Sequence, residues 1–201
     1  MNRTAKLCSR ANFVETDADT NTDILKRECT GDASESAILR FMECVSPSVD
    51  EYRKRFPKVA EKPFSSVYKY QYSVHRNTEK ANGKESEFFV VMKGAPERII
   101  KLCSTILNGK AQSTCIDSHL QWFHFFIERG ETVPMTDEDI DDFESAYREL
   151  GSMGERVLAF CDLELKGFAS DYTFNLDEGN DFELKDLRFV GMGKLYFKMT
   201  I

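Results

Sequence analysis

A few aromatic, amide and cationic side chains in the middle of the chain are suited to holding a purine nucleotide. Phe64 stands at the start of a predicted strand, and Lys69 and Gln71 share one face of that strand five and seven residues on. Lys93 ends a second predicted strand, and Arg156 begins a third. A purine nucleotide needs an aromatic or apolar surface for its base, donors and acceptors for the base edge, and cations for its phosphates. The set contains each of these residue types, although a polar strand face is more often simply the solvated side of a sheet.

The predicted strands that carry these residues differ in how they are buried. Residues 62–76 predict a strand with one buried face, because aromatic or apolar and polar side chains alternate over 68–75; Phe64 sits at the strand start, outside this alternation. Residues 87–93 are apolar on both faces, which indicates a central strand, and Gly94 ends it. Residues 156–163 have the pattern of another buried strand, and residues 186–190 of one more.

Helices are predicted on either side of these strands. Asp32 is placed to cap a helix, and Glu35, three residues on, completes a capping box. The predicted helices cover 32–45, 49–56, 96–102 and 136–150. Residues 111–134 have no clear pattern. Because helices and strands do not alternate as βαβ units, the sequence predicts an α+β domain, an antiparallel twisted sheet flanked by helices.

The composition excludes several classes of protein. The 201 residues include 27 Lys and Arg against 34 Asp and Glu, a net charge of −7, so nucleic-acid binding is not expected. The longest apolar run, 88–92, is far too short to cross a membrane, and the start of the chain lacks the apolar segment of a signal peptide. The six cysteines include no CxxC pair, which favours reduced thiols.

Familiar catalytic and metal motifs are missing from the sequence. It contains no P-loop, no GxGxxG and no nucleophile elbow, so no catalytic residue is predicted. Cys115, Asp117, His119 and His124 have the composition of a metal cluster. Their spacing fits no zinc motif, so no metal site is predicted either.

Five short motifs occur in the order typical of one known domain. They are Asp32-Ala33-Ser34-Glu35-Ser36-Ala37, Pro63-Phe64-Ser65-Ser66, Lys69-Tyr70-Gln71, Lys93-Gly94-Ala95-Pro96-Glu97 and Gly154-Glu155-Arg156-Val157-Leu158. With these motifs the chain resembles the nucleotide-binding (N) domain of P-type cation-transporting ATPases of the sodium/potassium type, to which the gastric proton/potassium pump is closely related. One motif alone would be a weak signal, whereas five in order over about 130 residues are specific. The resemblance extends from residue 7 to about residue 191.

The resemblance implies a role toward ATP for each candidate residue. Phe64 would stack on the adenine ring, the alternative being a core phenylalanine. Glu35 would accept a hydrogen bond from the adenine edge or order the pocket, unless its carboxylate only caps its own helix. Gln71 would line the base or ribose side, and Lys69 would face the phosphates. The alternative for both is a solvated strand position.

Three further residues would complete this implied pocket. Lys93 would lie deep in it, near the base and the phosphate chain, where a buried lysine needs a compensating partner. Gly94 would let the backbone approach the ligand closely, or it simply marks the start of a helix. Arg156 would bind the phosphates through its forked guanidinium, the alternative being a surface ion pair. The implied cofactor is Mg-ATP, with the magnesium held mainly outside this chain.

The chain departs from the family pattern in ways that limit the implied function. The Asp-Lys-Thr-Gly-Thr motif of the phosphorylated aspartate, the actuator motif, the magnesium-binding aspartates and the membrane helices are absent from the sequence. We therefore expect the chain to bind ATP without hydrolysing it. We also expect one domain over 7–191 that lacks the family's first strands, an unusual insertion at about 113–133, and divergent tails at 1–6 and 192–201.

Two functions follow from this reading. The first is an ATP-binding fragment of a pump in the plasma membrane, with this domain on the cytoplasmic side. Its partners would be the phosphorylation and actuator domains and a β subunit. The alternative is a pump-derived interaction or regulatory fragment that binds no nucleotide and uses the aromatic residues of 122–126 as its surface.

Overall fold

A seven-stranded mixed sheet forms the centre of the domain. The computed structural model describes residues 1–14, 23–80, 87–108, 111–114, 123–126, 130–152, 154, 156–176 and 179–195. The helices are α1 (Asn2–Leu7), α2 (Ala33–Val45), α3 (Val49–Arg55), α4 (Pro96–Ile99) and α5 (Asp137–Gly151). The strands are β1 (Asn12–Phe13), β2 (Cys29–Thr30), β3 (Lys58–Ser65), β4 (Tyr70–Arg76), β5 (Phe88–Gly94), β6 (Cys103–Asn108), β7 (Ala111–Thr114), β8 (Phe123–Phe126), β9 (Glu131–Pro134), β10 (Arg156–Leu165) and β11 (Leu187–Leu195).

The large sheet has the strand order β3-β4-β5-β10-β11-β6-β9. Its neighbouring strands are antiparallel except for β11 and β6, which are parallel. The predicted α+β fold, an antiparallel sheet flanked by helices, is confirmed.

The two central strands, β5 and β10, are covered on both faces. All residues of β5 are buried, as its apolar sequence predicts. On one face α1, α2 and α3 pack against Phe89 and Val91 of β5 and against Leu158 and Phe160 of β10. On the other face α4 and α5 pack in the larger core, which includes Phe143 of α5. Side chains that leave this sheet toward a ligand therefore start from a rigid support.

The segment predicted as one strand over 62–76 is a hairpin. β3 ends at Ser65, a turn follows, and β4 begins at Tyr70, antiparallel to β3. Lys69 ends the turn with a left-handed φ of 62°. The turn contains neither glycine nor asparagine, and the alternation that continues along β4 already begins at Tyr68, inside the turn, so the reversal is not evident from the sequence.

The polar face of β4 is buried where α1 and α3 pack on the sheet. Ser73 and His75 are 3% and 2% exposed. The His75 ring is satisfied at both nitrogens, since Nδ1 lies 2.9 Å from the carbonyl oxygen of Phe56 and Nε2 lies 2.8 Å from Ser73 Oγ. These hydrogen bonds compensate for burial of the ring. Gln71 projects from the same face of the strand, closer to the hairpin turn.

Residues 1–6, predicted as a divergent tail, lie inside the domain. They form most of α1, and Met1, Thr4 and Ala5 are buried. Met1 and Ala5 share a core cluster with residues of α2. The chain after α1 passes beside the start of α2, where the backbone of Arg10 meets Glu35.

The predicted insertion at 113–133 is described only in part. β7 and β8 form an antiparallel pair, and β9 adds to the edge of the large sheet beside β6. The interaction surface predicted at 122–126 lies outside the described side chains. That alternative function stays a prediction.

Candidate nucleotide-binding site

A cleft of about 540 Å³ opens between the start of α2 and one end of the large sheet. Its lining residues are Asp32, Ala33, Ser34, Glu35, Phe64, Gln71, Lys93, Gly94, Arg156 and Leu158. Six of the seven predicted site residues are thereby brought together from α2, β3, β4, β5 and β10. The volume is typical of small-molecule sites, which span roughly 300–1,000 Å³.

A buried ion pair forms one wall of the cleft. Lys93 Nζ lies 2.8 Å from Glu35 Oε1, and the two side chains are 6% and 5% exposed. Gln71 Nε2 donates to the same oxygen at 2.8 Å. The backbone N–H of Arg10 donates to Glu35 Oε2 at 3.0 Å. The carboxylate therefore ties β4, β5 and the segment after α1 to the start of α2.

This environment favours the charged form of Glu35. Burial alone would raise the pKa of its carboxyl group. The charge of Lys93 and the three hydrogen bonds outweigh burial and lower the pKa below its ordinary value. Glu35 is therefore ionised at pH 7, and its charge compensates for the buried ammonium group of Lys93.

The capping box predicted at the start of α2 forms only in part. Asp32 caps the helix as predicted, because its Oδ1 accepts from the backbone N–H groups of Ser34 at 2.7 Å and Glu35 at 3.0 Å. The Glu35 carboxylate instead reaches the sheet and contacts Lys93. The prediction that Glu35 completes the box is wrong, because a buried lysine offers a stronger, charge-assisted partner than a backbone amide does.

Phe64 stands at the mouth of the cleft on β3. It is 51% exposed, which excludes the alternative of a core phenylalanine. An aromatic face that borders a cleft and is open to solvent is available for stacking on a planar ligand.

Lys69, the seventh predicted residue, is not among the residues that line the cleft. The strand reversal puts it in the hairpin turn rather than beside Gln71 on one strand face. Its side chain is 51% exposed, and Nζ lies 3.8 Å from the carboxylate of Glu97. Its role toward phosphates stays a prediction without geometric support.

Gly94 permits a close approach between two strands. An added Cβ would lie 2.5 Å from the carbonyl oxygen of Lys69 and 2.5 Å from Tyr70 Cβ. The same carbonyl accepts a hydrogen bond from the backbone N–H of Ala95 at 2.9 Å, so β4 is held at this distance. The absence of a side chain at Gly94 thus allows β4 to pack closely on β5. Neither of the two roles predicted for this glycine included that contact.

Gly94→Ala is expected to lower the free energy of unfolding by about 1–3 kcal/mol, because the new methyl group overlaps the backbone of β4. Urea unfolding measures the change. Gly151→Ala is the matched control: it ends α5, and nothing lies within 4 Å of its added Cβ. That variant should be neutral or slightly stabilising. Equal urea midpoints for wild type and Gly94→Ala would contradict this account of the glycine.

Arg156 and Leu158 extend the cleft along β10. They project from the same face of β10 as Phe160, which is paired in register with Lys93. Arg156 is exposed, and within the described ranges its guanidinium makes no hydrogen bond or ion pair. The described residues therefore offer Arg156 no partner for the surface ion pair that was the alternative, and the guanidinium is available to bind an anion.

Sequence reasoning missed five contributors to the site. Four of them line the cleft and lie inside the motifs that carry the family resemblance, so motif position is the signal that finds them: Asp32, Ala33, Ser34 and Leu158. Arg10 contributes its backbone N–H to Glu35. No side-chain pattern indicates a contact of that kind.

Comparison with known proteins identifies the class to which this fold and cleft belong. The family profile described as P-type ATPase, cytoplasmic domain N, matches residues 1–122 and 123–195. The chain belongs to this family.

Its relatives include α subunits of sodium/potassium-transporting ATPases. The chain is 44% identical over 191 residues to subunit alpha-B of Artemia franciscana, and 45% identical over 192 residues to subunit alpha-A of the same species. It is 43% identical over 194 residues to the alpha subunit of Tetronarce californica. These matches cover 94%, 94% and 96% of the chain. The chain spans 16% of the length of each of these relatives.

The described residues contain neither a membrane-spanning helix nor a cluster of metal ligands. No helix in this part of the chain is long and apolar enough to cross a membrane. These residues also contain no group of three or more His, Cys, Asp or Glu side chains that could hold a metal ion. The four residues considered above for a metal cluster have side chains outside the described set.

Proposed function

We propose that this chain binds an adenine nucleotide in the cleft between α2 and the sheet. One observation carries the proposal: a single cleft joins an exposed aromatic ring, an amide, a buried ammonium group and an exposed guanidinium. These are the groups that a base, its polar edge and a phosphate chain require. Membership of the family of P-type ATPase N domains supports the same ligand.

The arrangement of the lining supports one orientation of the ligand. The base would stack on Phe64 at the mouth, with Gln71 and Glu35 near its polar edge. Arg156 lies four residues along β10 from the position opposite Lys93, which is about 13 Å at the rise of a strand. An elongated ligand would therefore be needed to contact both cations, and the phosphate chain would run from Lys93 toward Arg156.

Magnesium would accompany the phosphates, but the described residues offer no carboxylate cluster to hold it. The ion would neutralise phosphate charge in Mg-ATP, while the residues of this chain bind and orient the nucleotide.

In the parent pump this domain would present ATP to an aspartate on the phosphorylation domain, with the actuator domain and a β subunit as further partners. The relatives' names, sodium/potassium-transporting ATPase α subunits, support a parent pump of this type. This chain would contribute binding of the nucleotide on the cytoplasmic side of the membrane, without hydrolysis of its own.

An NMR titration of the isotope-labelled chain with Mg-ATP tests the proposal. We expect saturable amide shifts at Phe64, Gln71, Lys93 and Arg156. The dissociation constant should be sub-millimolar to millimolar, because a stacked base and partly exposed charges only slightly exceed the free energy lost on association. Adenosine should shift only the residues near Phe64, and tripolyphosphate only those near Arg156.

Two outcomes would reject the proposal. One is the absence of shifts in the cleft at several millimolar Mg-ATP. The other is the same shifts with tripolyphosphate as with Mg-ATP, which would mean that the base is not recognised.

A further inference from the structure

A second cavity lies on the opposite face of the sheet from the nucleotide cleft, where α5 packs beside β6, β9 and β11. Its volume is about 620 Å³, and we call it the α5 cavity. It shares no lining residue with the nucleotide cleft. Phe143, Phe189 and Met192 of the cavity belong to the core on the α5 face, whereas Leu158 of the cleft belongs to the core on the α2 face.

The floor of the α5 cavity is apolar and held in place by the core. Phe143 and Phe189 are both buried and pack edge to face, with ring centroids 5.5 Å apart. Met192 is buried in the same cluster. Ile106 and Val133, which are paired in register between β6 and β9, form a half-buried side wall. Aromatic, thioether and branched aliphatic side chains together form a surface that favours an apolar ligand.

The wall that α5 contributes carries carboxylates. Thr136, Asp139 and Asp142 all line the cavity, and their spacing of three residues places them on one side of the helix. Asp139 Oδ2 accepts hydrogen bonds from the Thr136 backbone N–H at 2.8 Å and from its hydroxyl at 2.7 Å, and these bonds lower the pKa of the Asp139 carboxyl group. Asp142 is exposed and has no hydrogen-bond or ion-pair partner in the described part of the chain.

The charges around the α5 cavity favour a cation over an anion. No Lys, Arg or His is among the described residues that line it. α5 has seven acidic residues and one basic residue over Asp137–Gly151, so the potential beside it is negative. Two cations of β11 lie nearby but do not line the cavity. Arg188 is held on the other face of the sheet by Asp162 at 2.8 Å, and Lys194, buried two residues beyond Met192, reduces the negative potential only in part.

We propose that the α5 cavity binds a small organic cation, a protonated amine attached to an aromatic or branched apolar group. The apolar group would lie on Phe143 and Met192, and the ammonium group would pair with Asp142 at the rim. The volume is that of a small-molecule site. The described carboxylates form no cluster that could hold a metal ion, and a metal ion would gain nothing from the apolar floor. The site is independent of the nucleotide cleft, and its existence does not require ATP binding.

NMR titration of the chain with tryptamine at constant ionic strength tests the proposal. The readout is the set of methyl signals of Ile106, Val133 and Met192. We expect saturable shifts with a dissociation constant in roughly the millimolar range. Two matched probes separate the two parts of the ligand: indolepropionate has the same ring with the opposite charge, and methylammonium has the charge without the ring. Both should bind at least about tenfold more weakly than tryptamine.

Asp142→Asn should weaken tryptamine binding about twofold to fivefold, because it removes a partly solvated ion pair. Asp141→Asn is the matched control. Asp141 is the preceding residue of α5, is also exposed, and is not among the residues that line the cavity. That variant should bind tryptamine as wild type does.

Several results would overturn the proposal. They are unchanged methyl signals at several millimolar tryptamine, equal affinity for tryptamine and indolepropionate, equal affinity for tryptamine and methylammonium, and equal weakening by Asp141→Asn and Asp142→Asn. Shifts confined to Phe64 and Gln71 would assign the indole ring to the nucleotide cleft. The peptide Lys-Trp-Lys should bind no more tightly than tryptamine, and a much higher affinity for it would identify the occupant as a polypeptide segment instead.

Discussion

Phe64→Ala is expected to weaken ATP binding by about five- to 150-fold while the fold stays intact. Aromatic stacking on a base contributes roughly 1–3 kcal/mol, which gives this range. Because the ring is 51% exposed at the mouth of the cleft, its removal opens no cavity in a core. Titration with Mg-ATP measures the dissociation constant, and urea unfolding of the same variant checks the fold.

Tyr68→Ala is the matched control for this substitution. Tyr68 lies in the same hairpin, is 58% exposed, and is not among the residues that line the cleft. Its removal should leave ATP affinity unchanged. Equal weakening in both variants would point to a general effect on the hairpin, and unchanged affinity in Phe64→Ala would refute stacking on this ring.

The elements that the sequence predicts well are those whose own pattern is strong. α5 has a capping box from Thr136 and Asp139, and its bounds match the prediction to within a residue or two. β5 is apolar over residues 88–92 and lies in the centre of the sheet, as expected. In both cases the local signal and the tertiary environment favour the same structure.

The elements that the sequence does not predict depend on contacts with residues from other parts of the chain. α1 is short and polar, yet Thr4 and Lys6 are buried, because α2 and α3 cover it. No local pattern predicts burial of such side chains. The turn before Tyr70 is missed for another reason, since the alternation that marks β4 already begins at Tyr68, inside the turn.

The motifs predict which residues line the cleft, but they do not predict which contacts those residues make. The motif that contains Glu35 gives the residue and leaves two roles open, as a cap or as a pocket residue. Only the fold shows that Lys93, far away in sequence, reaches its carboxylate. Lys69 shows the opposite case. Its place in a motif predicts a site residue, but the backbone turns at Lys69, and its side chain does not line the cleft.

Glu35→Gln is expected to lower the free energy of unfolding by about 3–5 kcal/mol, a large part of the stability of an ordinary domain. The substitution keeps the shape of the side chain but removes the charge that compensates for the ammonium group of Lys93, which is 6% exposed. Urea unfolding at pH 7 measures the loss. As a control, Glu51→Gln removes an exposed pair with Lys54 and should leave stability nearly unchanged, because solvent screens that pair.

The Glu35–Lys93 pair also makes the free energy of unfolding depend on pH in a defined direction. The pKa of Glu35 is lowered in the folded state, so the unfolded chain takes up a proton first as the pH falls. The contribution of Glu35 is present above its ordinary pKa of 4.5 and is lost as the pH falls through the lower folded value. Stability of Glu35→Gln should therefore fall less steeply in this acid range than that of wild type. Parallel curves would contradict the assigned shift.

The double variant Glu35→Gln/Lys93→Met separates the contribution of the pair to stability from its contribution to binding. With both charges gone, the buried methionine needs no partner, and most of the stability lost in Glu35→Gln should return. ATP binding should stay weak, because the ammonium group that meets the phosphate chain is absent. A double variant as unstable as the two single changes summed would show that the residues are not coupled. Recovered stability without recovered binding would mean that the buried Glu35–Lys93 pair serves the ligand rather than the fold.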